Sequence, residues 1–566
     1  MPEIQMTTPD WVVLVVYLAA ITAIGLVAGY KIKNTDQYFL GGRRFGKWIM
    51  IGQSFGTGTH SEMPVSLAGA VYNIGYSGIW FQWKNLFATP FFWLLAPLLR
   101  RVRRTTIAEM TEDRYGPWMG AIYTVFALLF FTIASATMLK GAAKVISQAV
   151  GGNVPVNAIV GAMTVAFLLY SFVGGLLAAA WTDFFQGFLI IALSFMLIPL
   201  GWRTVGGLSG MRHSLDAYKL SLATPHGIGL WFIFVLTLNG LIGVIAQPHQ
   251  MAAVGSGKDE YSCRSGFFYG MFVKRFCTIG WAFVGLMVLA MMAQGSFGVH
   301  SLKDPEDAFG FACRHLLFPG GVGLLIAAVL AANMAACSAF TVDSGALFTN
   351  GFYRKYVAPT RGDRHFLWVG RLSGLLIAMG GVAYAVFFIE RVLYSFLLTE
   401  TMATFVGVSL LGGVVWKRAN RWGAGASLVA AMSTNFAVYR LRQERLDAWD
   451  PNVFLAALAA GVLAFVAVSL LTKPEPKAQL DSFFGRLGTP ADASIEAIAA
   501  DADPVEMERQ TAKAGRQLLL VNLFRPREAA GGFGFFHAYR DDLVGFVKGW
   551  IIVAVMVLIA WACVRL

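Results

Sequence analysis

The sequence predicts an all-α polytopic membrane protein, and three observations carry that expectation. Hydrophobic residues make up 57% of the 566 and charged residues only 14%, a mixture far from that of a soluble domain. Apolar windows long enough to cross ~30 Å of hydrocarbon recur along the chain, about fourteen in all. The basic residues, which leave a formal charge of +13, lie in short loops between those windows, which reads as membrane topology and argues against a soluble nucleic-acid-binding domain.

The windows begin near Trp11, Trp48, Gly78, Met119, Val156, Thr182, Gly229, Gly270, Gly320, Phe366, Val392, Gly423, Val453 and Gly545. The leading MPEIQMTTPD has no basic n-region, so the first window is expected to remain as a span. With the N-terminus outside, the short inside loops hold about 19 Lys and Arg and the outside loops about 9, the asymmetry of the positive-inside bias. Arg440, Arg442 and Arg445 run against it. This places the chain in the plasma (inner) membrane with both termini outside and 473–543 in the cytoplasm.

Two windows carry helix breakers at mid-depth. The second contains Gly56, Gly58 and Pro64, and the seventh contains Gly240, Gly243 and Pro248 in LNGLIGVIAQP. Such a break frees carbonyls and amides that lipid cannot satisfy, so it must face protein, water or ligand. Glycine and proline also serve packing in membrane helices, but two breaks that each open a set of five spans match the inverted halves of transporters. The expected organisation is an extra span with an inner loop (1–45), a first inverted repeat (46–203), a second (204–424), two peripheral spans (425–472), a cytoplasmic linker (473–543) and a last span (544–566).

The linker contains AQLDSFFGRL, read as an amphipathic interfacial helix, and an Ala- and Asp-rich stretch from Ala491 to Asp503. The five cysteines show no paired or metal-like spacing, so buried small side chains are expected. No nucleophile elbow, zinc motif or phosphate-cradling loop points to an enzyme.

YFLGGRR, LAGAVYNIG, TIAEMTEDRYG, AAAWTDFFQG, FTNGFYRKY and WKRANRWGA, in that order between Tyr38 and Ala424, resemble the sodium/solute symporter family. That group includes bacterial proline, sialic acid and sugar symporters and the sodium/glucose cotransporters. The resemblance implies a LeuT-type fold of two inverted five-helix repeats, with broken helices two and seven, solute bound between the breaks and access alternating between the two faces. It also implies a sodium site of three backbone carbonyls and two serine hydroxyls, because dehydration of the ion must be compensated by oxygen ligands.

Carried onto this chain, the carbonyls fall at Gly56, Thr59 and Ala332, while the two serine positions hold Ala335 and Ala336. Thr57, Asn333 and Ser338 are nearby replacements for the lost oxygens. Asp183, in the WTD string, and Asp343, a further two turns along from Ala336, are candidates for a displaced cation site or a proton-release pair. The alternatives are an ion pair for Asp183 and a helix-end hydrogen bond for Asp343.

His60, Ser61, Glu62 and Met63 fall where the family lines its solute cavity, and Lys274 resembles a family lysine that approaches the solute. Asn239 and Glu400 complete the expected lining. Their alternatives are snorkelling for Lys274 and Arg275, helix capping for Asn239 and hydration for Glu400. Lys140 and Lys144 are expected to reach the outer surface. His60, with an unperturbed pKa of about 6.5, is a candidate to carry a coupling proton.

The functional expectation is a secondary active transporter importing a small polar organic solute, coupled to a cation gradient and to sodium by family default. The alternatives are a sodium-independent or proton-coupled uniporter or exchanger, and a transporter-like sensor. Beyond sodium no cofactor is expected. The partners are a small solute and the bilayer, with no nucleic acid.

Overall fold

Backbone buried in hydrocarbon must satisfy its own hydrogen bonds, so apolar windows of this length fold as helices. The computed structural model describes residues 6–29, 35–444, 449–491 and 504–565. Among these every regular element is helical. Eight helices are long and apolar enough to cross a membrane, and Thr8–Ile24, Val156–Val165 and Leu230–Ala246 are shorter apolar stretches. The windows near Trp48, Gly78 and Gly423 belong to neither set. Those at Val156 and Thr182 lie on one helical element, Val156–Phe195.

Burial ranks the helices. The apolar window of Gly321–Tyr356 is 89% buried and that of Glu260–Ala293 83%, whereas that of the last helix, Arg540–Arg565, is 28% buried. The first two therefore form the centre, and the last lies at the periphery against Thr89–Arg101. Close approach depends on missing side chains. A Cβ on Gly270 would stand 2.8 Å from the Ile51 carbonyl oxygen, so the Glu260 helix meets the half-helix Lys47–Gly58 nearly backbone to backbone.

Helix interruptions position the site. The second window is two half-helices, Lys47–Gly58 and Glu62–Ile74, separated by Thr59–Ser61, with Thr59 extended at φ −113°, ψ 100°. Gly56 and Gly58 remain helical, and Pro64 sits in the first turn of the second half, where no intrahelical donor is needed. The seventh window runs as Leu230–Gly243, a 3-10 turn Val244–Ala246, an extended Gln247, and then Gln250–Gly255. Its break is later than Gly240 and Gly243 suggest, because glycine weakens a helix by only ~1 kcal/mol while Pro248 removes a donor outright. A third interruption was not foreseen: turns between Trp80–Trp83 and Thr89–Arg101 place Lys84 mid-window.

The segment after residue 472 is largely helical where described, and its first helix corrects one expectation. Lys477–Gly488 buries Phe483, Phe484 and Leu487 against the rest of the protein rather than in a lipid interface. Arg486 bonds Asp113 at 2.8 Å. The Arg101 guanidinium holds Glu260 at 2.8 and 3.1 Å and also donates to the carbonyls of Leu487 and Arg516. Arg445 and residues 492–503 of the Ala- and Asp-rich stretch lie outside the described residues.

Candidate functional site

At the first break, main-chain carbonyls freed from the helix are taken up by side chains. Lys274 Nζ, arriving from the Glu260 helix, donates to the Gly58 carbonyl. His60 Nε2 lies 2.9 Å from the Thr57 carbonyl. A carbonyl only accepts, so Nε2 carries the hydrogen. His60 Nδ1 lies 3.1 Å from Glu62 Oε1, and that contact needs one further proton, on the imidazole or on the carboxyl.

Glu62 is buried, and its Oε2 has no partner. Gly141 makes room for it, since a Cβ there would stand 2.5 Å from the Glu62 Cβ. Ser61 Oγ donates to the Met138 carbonyl at 3.0 Å and accepts from Asn333 Nδ2 at 3.3 Å. Met63 points into the apolar core rather than toward polar neighbours.

At the second break, side chains do the bonding. Gln247 Nε2 donates to Glu400 Oε1 at 2.8 Å, and Glu400 Oε2 holds Lys84 Nζ at 2.5 Å. Lys84 also donates to Asn239 Oδ1 at 3.1 Å, and Asn239 Nδ2 donates to Thr404 Oγ1 at 3.1 Å. Gln250 Nε2 donates to Gln247 Oε1 at 3.0 Å and approaches His249 Nε2 at 3.2 Å. His249 stacks on Phe340 of the Gly321 helix, with ring centroids 5.0 Å apart, and His60 meets the same ring edge-on at 5.7 Å. The two breaks thus lean on one phenyl ring.

Several simpler alternatives fail. Lys274 and Arg275 do not snorkel, because both are buried and Arg275 donates to the Gln82 carbonyl at 3.2 Å. Asn239 lies within its helix and is not a cap. Glu400 is buried in an ion pair rather than hydrated. Lys140 bonds Asn157, and Lys144 pairs with Asp304 and Glu306 at 3.0 and 2.5 Å.

The cation candidates divide. Gly56 accepts from the Thr59 amide at 3.2 Å. Ala332, Ala335 and Ala336 are buried on the Gly321 helix, and the last two methyls offer no oxygen. A set of two serine hydroxyls therefore does not exist here. Buried oxygens without a donor do: Asp183 Oδ1, Thr59 Oγ1 and Ser338 Oγ. Asp183 Oδ2 accepts from Thr57 Oγ1 at 3.1 Å, and a Cβ on Gly56 would stand 2.8 Å from the Asp183 Cβ. No described cation pairs with Asp183. Asp343 has an unpartnered Oδ2 and lines a separate cavity of about 10 Å³ with Thr105, Thr106 and Pro248. Each acid thus faces its own break, and no hydrogen bond joins the two carboxyls among the described residues.

Lys84 and His249 escaped the sequence reading. A lone lysine in the window near Gly78 was the available signal, and a histidine directly after Pro248 was the other.

Broken apolar helices enclosing buried polar groups of both signs define a membrane transport protein. Residues 38–431 match the sodium:solute symporter family, and the chain belongs to that family. It is 25% identical over 487 residues to the osmoregulated proline transporter OpuE of Bacillus subtilis, covering 83% of this chain and 96% of that one. It is 26% identical over 501 residues to the sodium/proline symporter of Salmonella typhimurium, covering 84% and 96%. The fold is similar to that of a Na+-coupled sialic acid symporter in a substrate-bound outward-open state, with TM-score 0.70, 17% identity, and 83% and 98% of the two chains covered. The protein is an integral membrane secondary transporter of a small solute, not an enzyme.

Proposed function

We propose that the chain imports a small polar solute bearing both an anionic and a cationic group, coupled to a monovalent cation. The observation that supports this most is the Lys84–Glu400 pair at the second break. Two desolvated opposite charges are costly to maintain as a structural pair. A zwitterion can part them, its carboxylate taking Lys84 and its ammonium taking Glu400. The proline carried by the relatives named above is such a solute.

The coupling cation, sodium by family membership, would be held at Asp183 with Thr57 and Thr59 in place of the missing serine hydroxyls. Asp343 would be a second acidic stop beneath the second break. The proton needed between His60 and Glu62 favours one other reading, in which that pair carries a coupling proton.

Uptake of labelled proline into proteoliposomes separates these readings. Sodium-driven uptake at fixed pH, lost in Asp183→Asn and kept in His60→Gln, is the expected result. Sodium-free uptake driven by a pH gradient and lost in His60→Gln selects the proton. Uptake indifferent to both gradients makes the chain a uniporter, and competition by neutral sugars but not by zwitterions overturns the solute class.

A further inference from the structure

Away from both breaks lies a cavity of about 460 Å³. That is within the usual small-molecule range of ~300–1,000 Å³. Its walls come from separate parts of the chain. Arg101 ends the Thr89–Arg101 helix, Lys417 lies in the loop after Val392–Val415, Asp481 and Arg486 stand on Lys477–Gly488, and Glu508 and Arg525 follow in the later part of the chain.

Four cations and two acids line the cavity, and the donors are not used up. Arg101 is fully engaged by Glu260 and two carbonyls, so it serves as wall. Lys417 Nζ makes its described contact with the face of Phe484, 5.0 Å from the ring centroid, rather than with a carboxylate. Burial holds its pKa below the ordinary value and Arg525 lowers it further, against the opposing pull of Glu508, Asp481 and Glu528. Arg525 touches Glu508 and Glu528 only at 4.0 Å. Arg486 spends one amino group on Asp113, but its Nε is buried with no acceptor. Three cationic heads from three elements thus converge on the cavity, and among the described residues Lys417 and Arg525 have no carboxylate oxygen closer than 4.0 Å, with Asp481, Glu508 and Glu528 nearby.

We propose that this cavity binds a phosphate-bearing anion, with Lys417, Arg486 and Arg525 supplying the donors. A phosphoryl group presents several acceptor oxygens, which suits donors arriving from different directions. A carboxylate fits less well, because its two oxygens lie in one plane and meet fewer of these donors. The occupant would fasten the segment after residue 472 to the ends of the core helices, which gives the cavity a regulatory position without a part in solute binding. The phosphoryl group can come from a soluble polyphosphate or from a lipid headgroup at the membrane surface.

Full-length purified protein tests this by thermal unfolding in detergent with inorganic pyrophosphate at constant ionic strength, and in phosphatidylcholine nanodiscs with or without phosphatidylglycerol. Saturable stabilisation by pyrophosphate, weakened about tenfold or more in affinity in Lys417→Gln and in Arg525→Gln but unchanged in the surface control Arg361→Gln, supports a soluble ligand. Stabilisation by phosphatidylglycerol alone, lost in the same variants, supports a headgroup. Absence of any shift in both arms, or an equal shift in the Lys417→Gln/Arg525→Gln double variant, overturns the proposal. Anion-free solute uptake is expected to stay at the wild-type level in both single variants, so failure here is distinguishable from failure of the transport reading.

Discussion

The two helix breaks solve the same problem with different chemistry. At the first, the orphaned groups are backbone carbonyls, at Thr57 and Gly58, and they are answered by His60 and Lys274. At the second, the break contributes side chains, Gln247 and Gln250, which join Glu400, Lys84 and Asn239. A carbonyl is fixed in place and every residue type supplies one, so the backbone of the first break sets where its side-chain partners His60 and Lys274 must stand. The second break presents particular side chains, so a partner there would have to match their charge and shape. Under the proposed function, solute recognition would fall mainly to the second break and the cation mainly to the first.

The largest effect is expected where the second break is most exposed to loss. Lys84→Met leaves Glu400 buried without its ion-pair partner, and breaking a buried pair by removing one partner costs about 3–5 kcal/mol. The double variant Lys84→Met/Glu400→Gln removes both charges and should recover most of that stability while losing solute binding. Thermal unfolding with and without solute measures both. Equal stability of wild type and Lys84→Met would mean that the ion pair is not formed, and would remove the basis for a zwitterionic solute.

A smaller effect is expected at the first break. Lys274→Met strands the Gly58 carbonyl, and a buried unsatisfied group costs about 1–3 kcal/mol. A solute or ion able to donate to that carbonyl should then stabilise the variant more than it stabilises wild type. If the Lys84→Met loss proves the smaller of the two, the division between main-chain and side-chain roles is reversed.

The breaks themselves were legible because glycine and proline inside an apolar window conflict with its need for unbroken pairing. The sequence bounds of Gly56–Pro64 contain the interruption at Thr59–Ser61, and those of Asn239–Pro248 reach the one at Gln247–His249. What completes the second break was not legible. Lys84 is distant from Glu400 by 316 positions, and a single lysine in a window has no local sign that separates pairing from snorkelling. Asp183 and Asp343 could be placed on their helices by spacing, but not on different breaks, since that depends on how helices pack. The amphipathic pattern of Lys477–Gly488 fits a lipid surface and a protein surface equally, and only tertiary contact with Ile107–Tyr115 and Thr89–Arg101 decides between them.

The smallest and sharpest expected effect concerns the missing hydroxyls. Ala335 and Ala336 are fully buried beside the first break, and each serine adds one oxygen in a volume only slightly larger than alanine, so the double variant Ala335→Ser/Ala336→Ser should fold. If Asp183 now holds the cation alone with its threonine neighbours, added oxygens should strengthen sodium binding by about tenfold or less, near 1.4 kcal/mol, and make uptake less sensitive to Asp183→Asn. The sodium concentration for half-maximal uptake, measured in wild type, the double serine variant and that variant with Asp183→Asn, checks this. An unchanged sodium requirement across all three would place the sodium away from both Asp183 and the Gly321 helix.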